Sequence, residues 1–137
     1  MSFFKKQTKP LPQKHWKIKR KCLQLILEAA KASYPKEFGG LLRVDTSDKE
    51  TIIEIVLLPG TISGDEHAIF QLHMLPIDFS IVGTVHSHPS SSARPSDADR
   101  QLFEKFGVIH LIVAEPFTES SWKAYLFTGE EIPVAIV

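Results

Sequence analysis

Apolar residues recur at two different spacings along this chain of 137 residues. From Lys17 to Ser33 they lie three or four positions apart, which is the spacing of one helix face. Tyr34-Pro35 ends this pattern, because a residue before proline disfavours the helical region. Short runs rich in β-branched and apolar residues indicate strands. These runs cover residues 38–44, 51–58, 67–73, 81–86, 108–114, 122–127 and 132–137.

A second helix is predicted between two of these strands, from Ser96 to about Phe106, with Gly107 as its C-terminal stop. Ser96 suits the N-cap position, and Asp99, three residues on, completes a capping box. Helices interspersed with several strands favour an α/β fold in which helices cover a mixed sheet.

The composition is that of a globular protein with one sizeable core, since 43% of the residues are hydrophobic. No apolar run approaches the roughly 18 residues that a membrane helix needs, and the N-terminus lacks the apolar segment of a secretory signal. Cys22, the single cysteine, excludes an internal disulfide and favours the cytoplasm. It lies in the apolar pattern of the first helix, so we expect a buried core thiol rather than a nucleophile.

The net charge of zero conceals an uneven distribution of charge. The first 21 residues hold eight lysines and arginines and no acid, so the remainder carries a formal charge of −8. A basic arm over residues 1–16 can bind nucleic acid or acidic partners. Because few aromatic residues accompany it, we favour a solvated extension, followed by a single domain over residues 17–137.

The sequence His-Ser-His-Pro at residues 86–89, followed by Asp99, carries the candidate chemistry. In a strand, residues two apart share a face, so His86 and His88 project together while Ser87 points away. The proline ends the strand, and the loop after it can bring Asp99 beside the strand end. Two imidazoles and one carboxylate are the ligand set of a catalytic zinc site that keeps a position for water.

Other interpretations of these residues stay open. Ser96 and Asp99 can simply cap a helix, and a metal-bound carboxylate at Asp99 is less free to do so. Two histidines and a carboxylate also suit non-haem iron, so an iron oxygenase is the metal alternative. His110 lies in an apolar strand and is expected to be a core residue, whereas His67 and His73 flank a strand and can line a cleft.

Together these residues resemble the JAMM motif of the MPN+ metalloprotease family: an upstream glutamate, then His-x-His-Pro, then Ser-x-x-Asp. The matching residues are Glu37, His86, His88, Pro89, Ser96 and Asp99. The resemblance covers about residues 18–130 and looks closest to the compact archaeal members. It implies the MPN/JAMM fold, a mixed, curved β-sheet flanked by helices in a cytidine-deaminase-like three-layer architecture.

The resemblance also implies residue roles. His86, His88 and Asp99 would bind one zinc ion, with a water in the fourth position. Glu37 matches the family's catalytic glutamate, and Ser96 matches the serine that helps to stabilise the oxyanion. The implied activity is zinc-dependent hydrolysis of isopeptide or peptide bonds that join ubiquitin-like modifiers to lysines.

Some members of the family have other functions. Certain relatives hydrolyse small amides or release cysteine from peptides in sulfur metabolism, and others are non-catalytic MPN interaction modules that typically lack the ligands. The segment between Pro116 and Trp122 is too short for the long second insertion of eukaryotic deubiquitinases, which argues against strong linkage selectivity. We expect a cytoplasmic enzyme that acts on ubiquitin-like conjugates, without membrane or nucleic-acid partners, and a homodimer is one assembly to test.

Overall fold

A mixed sheet of eight strands and two helices make up the computed structural model, which describes residues 14–57 and 78–137. The strands are β1 Lys17–Ile18, β2 Gly39–Val44, β3 Thr51–Leu57, β4 Ile81–His88, β5 Ile109–Ala114, β6 Trp122–Leu126, β7 Glu131–Ile132 and β8 Ala135–Ile136. The helices are α1 Arg20–Ser33 and α2 Asp97–Lys105. The strand predicted over residues 67–73, with His67 and His73, lies outside the described residues.

The strand order in the sheet is β7-β6-β5-β4-β2-β3-β1-β8. Strand β2 runs antiparallel to both of its neighbours, β3 and β4, whereas β4 runs parallel to β5. Parallel neighbours need a crossover connection, and α2 lies in the connection between β4 and β5. The C-terminal ends of β4 and β5 therefore lie side by side, with His88 opposite Ala114.

The two helices cover opposite faces of the sheet, because alternate residues of β5 pack into different cores. Leu111 and Val113 belong to the larger core, which contains the buried residues of α1. Ile112 and Ala114 pack on the other face with Phe103 of α2. This arrangement confirms the predicted α/β fold with a mixed sheet between helical layers.

The helix predicted from Lys17 begins three residues later, at Arg20. Lys17 and Ile18 form β1 instead, which pairs in parallel with both β3 and β8. The side chain of Ile18 is fully buried there. Cys22 is a buried thiol of α1, as predicted, and burial raises its pKa to about 11.

The single strand predicted over residues 132–137 is wrong, because two short strands occupy this segment. Strand β7 pairs with β6 at one edge of the sheet, and β8 pairs with β1 at the other. Pro133 lies between them and has no backbone N–H with which to continue a ladder. The chain is therefore free to leave one edge and join the other.

The predicted basic arm, residues 1–16, lies for the most part outside the described residues. Of its last residues, Trp16 is buried in the larger core, and the backbone N–H of His15 donates to the carboxylate of Glu50. Among the described helices, neither is long and apolar enough to cross a membrane.

Candidate metal centre

The two histidines of the motif lie together at the C-terminal end of β4. His86 and His88 share one face of the strand, and their ring centroids are 5.1 Å apart. Ser87 belongs to the opposite face, as the strand period predicts. His86 is buried, whereas His88 is partly open to solvent at the strand end.

Asp99 meets these rings from the first turn of α2. Its Oδ1 lies 3.0 Å from Nε2 of His86, and its Oδ2 lies 3.1 Å from Nε2 of His88. The two Nε2 atoms are themselves 3.2 Å apart. The structure therefore brings all three predicted ligands together, and their donor atoms lie within 4.8 Å of one another.

These separations fit a single zinc ion. Two atoms bonded at 2.0–2.1 Å to a tetrahedral zinc lie about 3.3 Å apart, close to the spacings of this cluster. Two neutral imidazole nitrogens that face each other at 3.2 Å repel unless a proton or a cation lies between them. A bound cation would remove that repulsion, and three protein ligands leave one tetrahedral position for water.

The second ring nitrogen of each histidine has a different environment. Nδ1 of His88 lies 3.0 Å from the carbonyl oxygen of Ser92, so Nδ1–H donates there and Nε2 is the nitrogen that would bind a metal once it has lost its proton. Nδ1 of His86 is buried and has no hydrogen-bond partner among the described residues. Among the described residues, the polar contacts of the His86 ring are therefore made through Nε2.

The cluster keeps Asp99 anionic. Burial raises the pKa of Asp99, but hydrogen bonds from His86 and His88 outweigh burial and hold the pKa well below its ordinary range. The pKa of His88 is raised, chiefly by its hydrogen bond with Asp99, although burial acts in the opposite direction. A permanently ionised carboxylate is the form that binds a divalent cation.

The predicted capping box at the start of α2 is confirmed. Oγ of Ser96 accepts from the backbone N–H of Asp99 at 3.1 Å, and the N–H of Ser96 donates to Oδ2 of Asp99 at 2.9 Å. The same Oδ2 atom also faces Nε2 of His88, so one carboxylate both caps α2 and faces the cluster. The cap thus holds the carboxylate toward the histidines.

Glu37 lies beside this cluster, just before β2. Gly39 pairs with His86 in the sheet, so the chain two residues earlier reaches the end of β4. Burial raises the pKa of Glu37, the charges of His86 and His88 lower it, and the charge of Asp99 raises it. A half-buried carboxylate with a raised pKa is suited to proton transfer.

Several residues that hold the loop after β4 were missed by sequence reasoning. The hydroxyl of Tyr125 donates to the carbonyl of Ala93 at 2.8 Å, and the N–H of Glu115 donates to the carbonyl of Ser90 at 2.8 Å. Both acceptors are backbone atoms distant in sequence, so no side-chain pattern could reveal these contacts. The sequence shows Ser87 between the two histidines, but it does not reveal that the backbone N–H of Phe38 donates to the hydroxyl of this serine.

Comparisons with known proteins agree with this architecture. A family model described as prokaryotic homologs of the JAB domain matches residues 19–125, which is more than half of the chain. The chain is a member of the JAMM/MPN+ metalloprotease family. The family predicted from the motif is thereby confirmed.

Individual members of the family resemble the chain over most of its length. A probable metalloprotease of Haloferax volcanii is 35% identical over 115 residues, which are 79% of this chain and 71% of that protein. A solved structure reported as JAMM, a metalloprotease-like zinc site in the proteasome and signalosome, is 39% identical. It has a TM-score of 0.70 and covers 90% of this chain and 98% of its own. A JAB1/MPN domain protein from Archaeoglobus fulgidus is 38% identical, with a TM-score of 0.72, covering 91% and 100%.

Proposed function

We propose that this JAMM family member is a zinc-dependent hydrolase that cleaves isopeptide or peptide bonds between ubiquitin-like modifiers and lysines. The observation that carries the proposal is the cluster of His86, His88 and Asp99 with the carboxylate of Glu37 beside it. A metalloprotease name for one relative and a metalloprotease-like zinc site in another support hydrolysis. Cytoplasmic location and homodimer formation stay predictions from the sequence.

His86, His88 and Asp99 would hold the ion through Nε2, Nε2 and a carboxylate oxygen. Zinc in such a site supplies Lewis acidity, which activates water near neutral pH and polarises an amide carbonyl. The Nδ1–H of His88 keeps that ring in one tautomer through Ser92, and the capping box keeps Asp99 in place. These contacts hold His88 and Asp99 in place before substrate arrives.

Glu37 would carry the proton. Its carboxylate accepts a proton from the attacking water and then delivers it to the leaving nitrogen. This delivery is needed because a lysine amine has a pKa near 10.4, so its anion is too basic to depart. Burial raises the pKa of Glu37, which makes its carboxylate a stronger base toward the attacking water than a solvated carboxylate would be.

Ser96 would stabilise the oxygen anion that develops on the carbonyl. Its Oγ already accepts from the backbone N–H of Asp99, so its own O–H proton is free to donate. The residue is exposed at the rim of the cluster, where a substrate carbonyl can approach. A positioned donor of this kind stabilises a transition state by several kcal/mol.

The test is metal analysis followed by cleavage assays with wild type and Glu37→Gln. The variant keeps the shape of the side chain, so we expect bound zinc and a loss of activity of about 10²- to 10⁴-fold. Glu28→Gln, which changes an exposed carboxylate of α1, is the matched control and should cleave like wild type.

The substrates separate the competing functions. Ubiquitin-like conjugates on lysine should be cleaved, and preference for a small cysteine-containing amide would instead support the role in sulfur metabolism. Full activity of Glu37→Gln, or of metal-free protein, would refute the mechanism. Absence of cleavage of every amide by the zinc-loaded wild type would favour a non-catalytic interaction module.

A further inference from the structure

We propose that Ser87 is a positioning residue for Glu37, an inference that rests on the proposed role of Glu37 in proton transfer. Ser87 lies between the two histidines but on the opposite face of β4, and its side chain is buried. Because residues of a strand alternate between faces, its side chain points away from the proposed ligands. Its contact is with the backbone beside Glu37.

Ser87 binds both backbone polar groups of Phe38. The N–H of Phe38 donates to Oγ of Ser87 at 2.8 Å, and the N–H of Ser87 donates to the carbonyl oxygen of Phe38 at 2.9 Å. Both residues are buried, with exposed fractions of 1% for Ser87 and 7% for Phe38. Water therefore cannot replace the hydroxyl as the acceptor for this N–H without opening the core.

The first of these bonds depends on the residue type at position 87. Gly39 pairs with His86 at the end of the ladder, so Phe38 and Ser87 lie opposite each other just beyond it. In a regular hydrogen-bonded pair, both bonds join backbone atoms and any residue can make them. Here one bond ends on a side-chain oxygen, so a residue without a hydroxyl loses it.

Phe38 is the buried residue that directly follows Glu37 in the chain, and its two hydrogen bonds with Ser87 hold it. Residues 34–36 are exposed, and Glu37 itself lies outside β2, one peptide bond from Phe38. The position from which the carboxylate reaches the cluster is therefore set by how Phe38 is held.

Residues 86–88 of β4 therefore position both the two histidine ligands and the proposed proton carrier, Glu37. The alternate residues His86 and His88 present the proposed ligands on one face, and Ser87 fixes the approach of Glu37 from the other. The position of Glu37 relative to the two histidine ligands is thus set within three consecutive residues of β4.

The central variant is Ser87→Ala, which removes the hydroxyl and little else. We expect kcat to fall by about 10- to 100-fold with KM nearly unchanged, because a displacement of about 1 Å in a reacting group has effects of this size. Bound zinc should stay at the wild-type level. Ser87→Thr keeps a hydroxyl and should recover most of the lost activity.

Thr51→Val is the matched control for loss of a buried hydroxyl. Thr51 is also buried, with 4% exposed, and its Oγ1 donates to Asp48 at 2.7 Å. It is the first residue of β3, far in the sheet register from Leu57, which pairs with Gly40. We expect it to affect stability but to leave kcat unchanged. Equal losses of kcat in the two variants would overturn the proposal, because they would mark a general effect of destabilisation.

A double-mutant cycle tests whether Ser87 acts through Glu37. In the Glu37→Gln background, Ser87→Ala should cause no further loss, since the group that it positions no longer transfers protons. A full additional loss, or loss of zinc from the single Ser87→Ala variant, would contradict positioning.

A readout without catalysis separates this inference from the proposed function. In protein loaded with Co²⁺, paramagnetic relaxation of the side-chain carbons of Glu37 reports their distance from the metal. In Ser87→Ala, Glu37 should lie at a different or more variable distance from the metal, so the paramagnetic relaxation of its side-chain carbons should weaken or vary. Hydrogen exchange of the Phe38 amide should be faster by about 10-fold or more, because this N–H has lost its acceptor. If wild type cleaves no conjugate, the proposed function fails, while unchanged relaxation of Glu37 would refute the positioning role by itself.

Discussion

The sheet face under α2 carries two kinds of histidine environment. His86 and His88 end β4 and face the carboxylate of Asp99. His110 lies further back on β5, where Nδ1 contacts Oγ1 of Thr84 at 2.7 Å. His86 and His110 are almost equally buried, at 3% and 0% exposed. Burial alone therefore does not identify a functional histidine.

The two environments differ in the residues that contact the imidazole rings and in whether they favour a positive charge there. The ring of His110 stacks on Phe103 with centroids 4.3 Å apart, and burial lowers its pKa to about 3. It is held neutral in an apolar core. The strand-end histidines instead share an ionised Asp99, so they form a site that favours a cation.

The largest expected effect removes the carboxylate that distinguishes the two environments. Asp99→Asn keeps an oxygen that can accept from the N–H of Ser96, so α2 remains capped, but it removes the negative charge. We expect zinc affinity to fall by more than about 100-fold. Residues that only contact a metal ligand typically change the affinity by about 10- to 100-fold, and Asp99 is itself a proposed ligand. Competition with a chromophoric chelator measures the affinity.

The same helix turn offers a matched control for this change. Asp97→Asn alters an exposed carboxylate two residues away and should bind zinc like wild type. Wild-type affinity in Asp99→Asn would show that the two histidines alone define the site, and the comparison with His110 would lose its basis.

A second variant separates capping from chemistry at Ser96. Glycine is tolerated at an N-cap with a loss of only a few tenths of a kcal/mol, whereas it has no hydroxyl to donate. Ser96→Gly should therefore reduce kcat by about 100-fold with little change in unfolding free energy. Ser96→Thr, which keeps both functions, is the control. Full activity of Ser96→Gly would leave the serine with a structural role alone.

The sequence allowed the ligand cluster to be predicted because its information is local. Alternation along one strand places His86 and His88 together, and the capping box places Asp99 in the first turn of α2. Both rules act over two to four residues. Only the contact between the end of β4 and the first turn of α2 depends on tertiary structure, and the resemblance to the JAMM family predicted that contact.

Features that depend on distant partners were not predictable in this way. Lys17 and Ile18 continue an apolar helical pattern, yet they pair with β3 and β8 because Ile18 fills the core. The hydroxyl of Ser87 has a backbone N–H 49 residues away in sequence as its donor. No periodicity in one segment encodes such contacts, since their geometry is set by the assembled sheet.

The smallest of these effects is the dependence of stability on pH that His110 confers. Its folded pKa of about 3 lies below its unfolded pKa of about 6.5, so the unfolded state binds the proton first as pH falls. Stability is therefore complete above about pH 6.5 and declines toward pH 3. For one such group, the decline amounts to about 2 kcal/mol between pH 7 and pH 5.

Replacing the ring with an uncharged side chain should flatten this dependence. Urea denaturation of chelator-treated protein measures the free energy of unfolding at each pH. Between pH 7 and pH 5 we expect this free energy to fall by about 2 kcal/mol less in His110→Gln than in wild type. Removal of metal prevents zinc release from contributing, and the titration of Asp99 is common to both proteins. The exposed His15→Gln is the control for deleting a histidine. An unchanged slope in His110→Gln would mean that the core ring accepts a proton without cost, and that its surroundings are not as apolar as its stacking on Phe103 indicates.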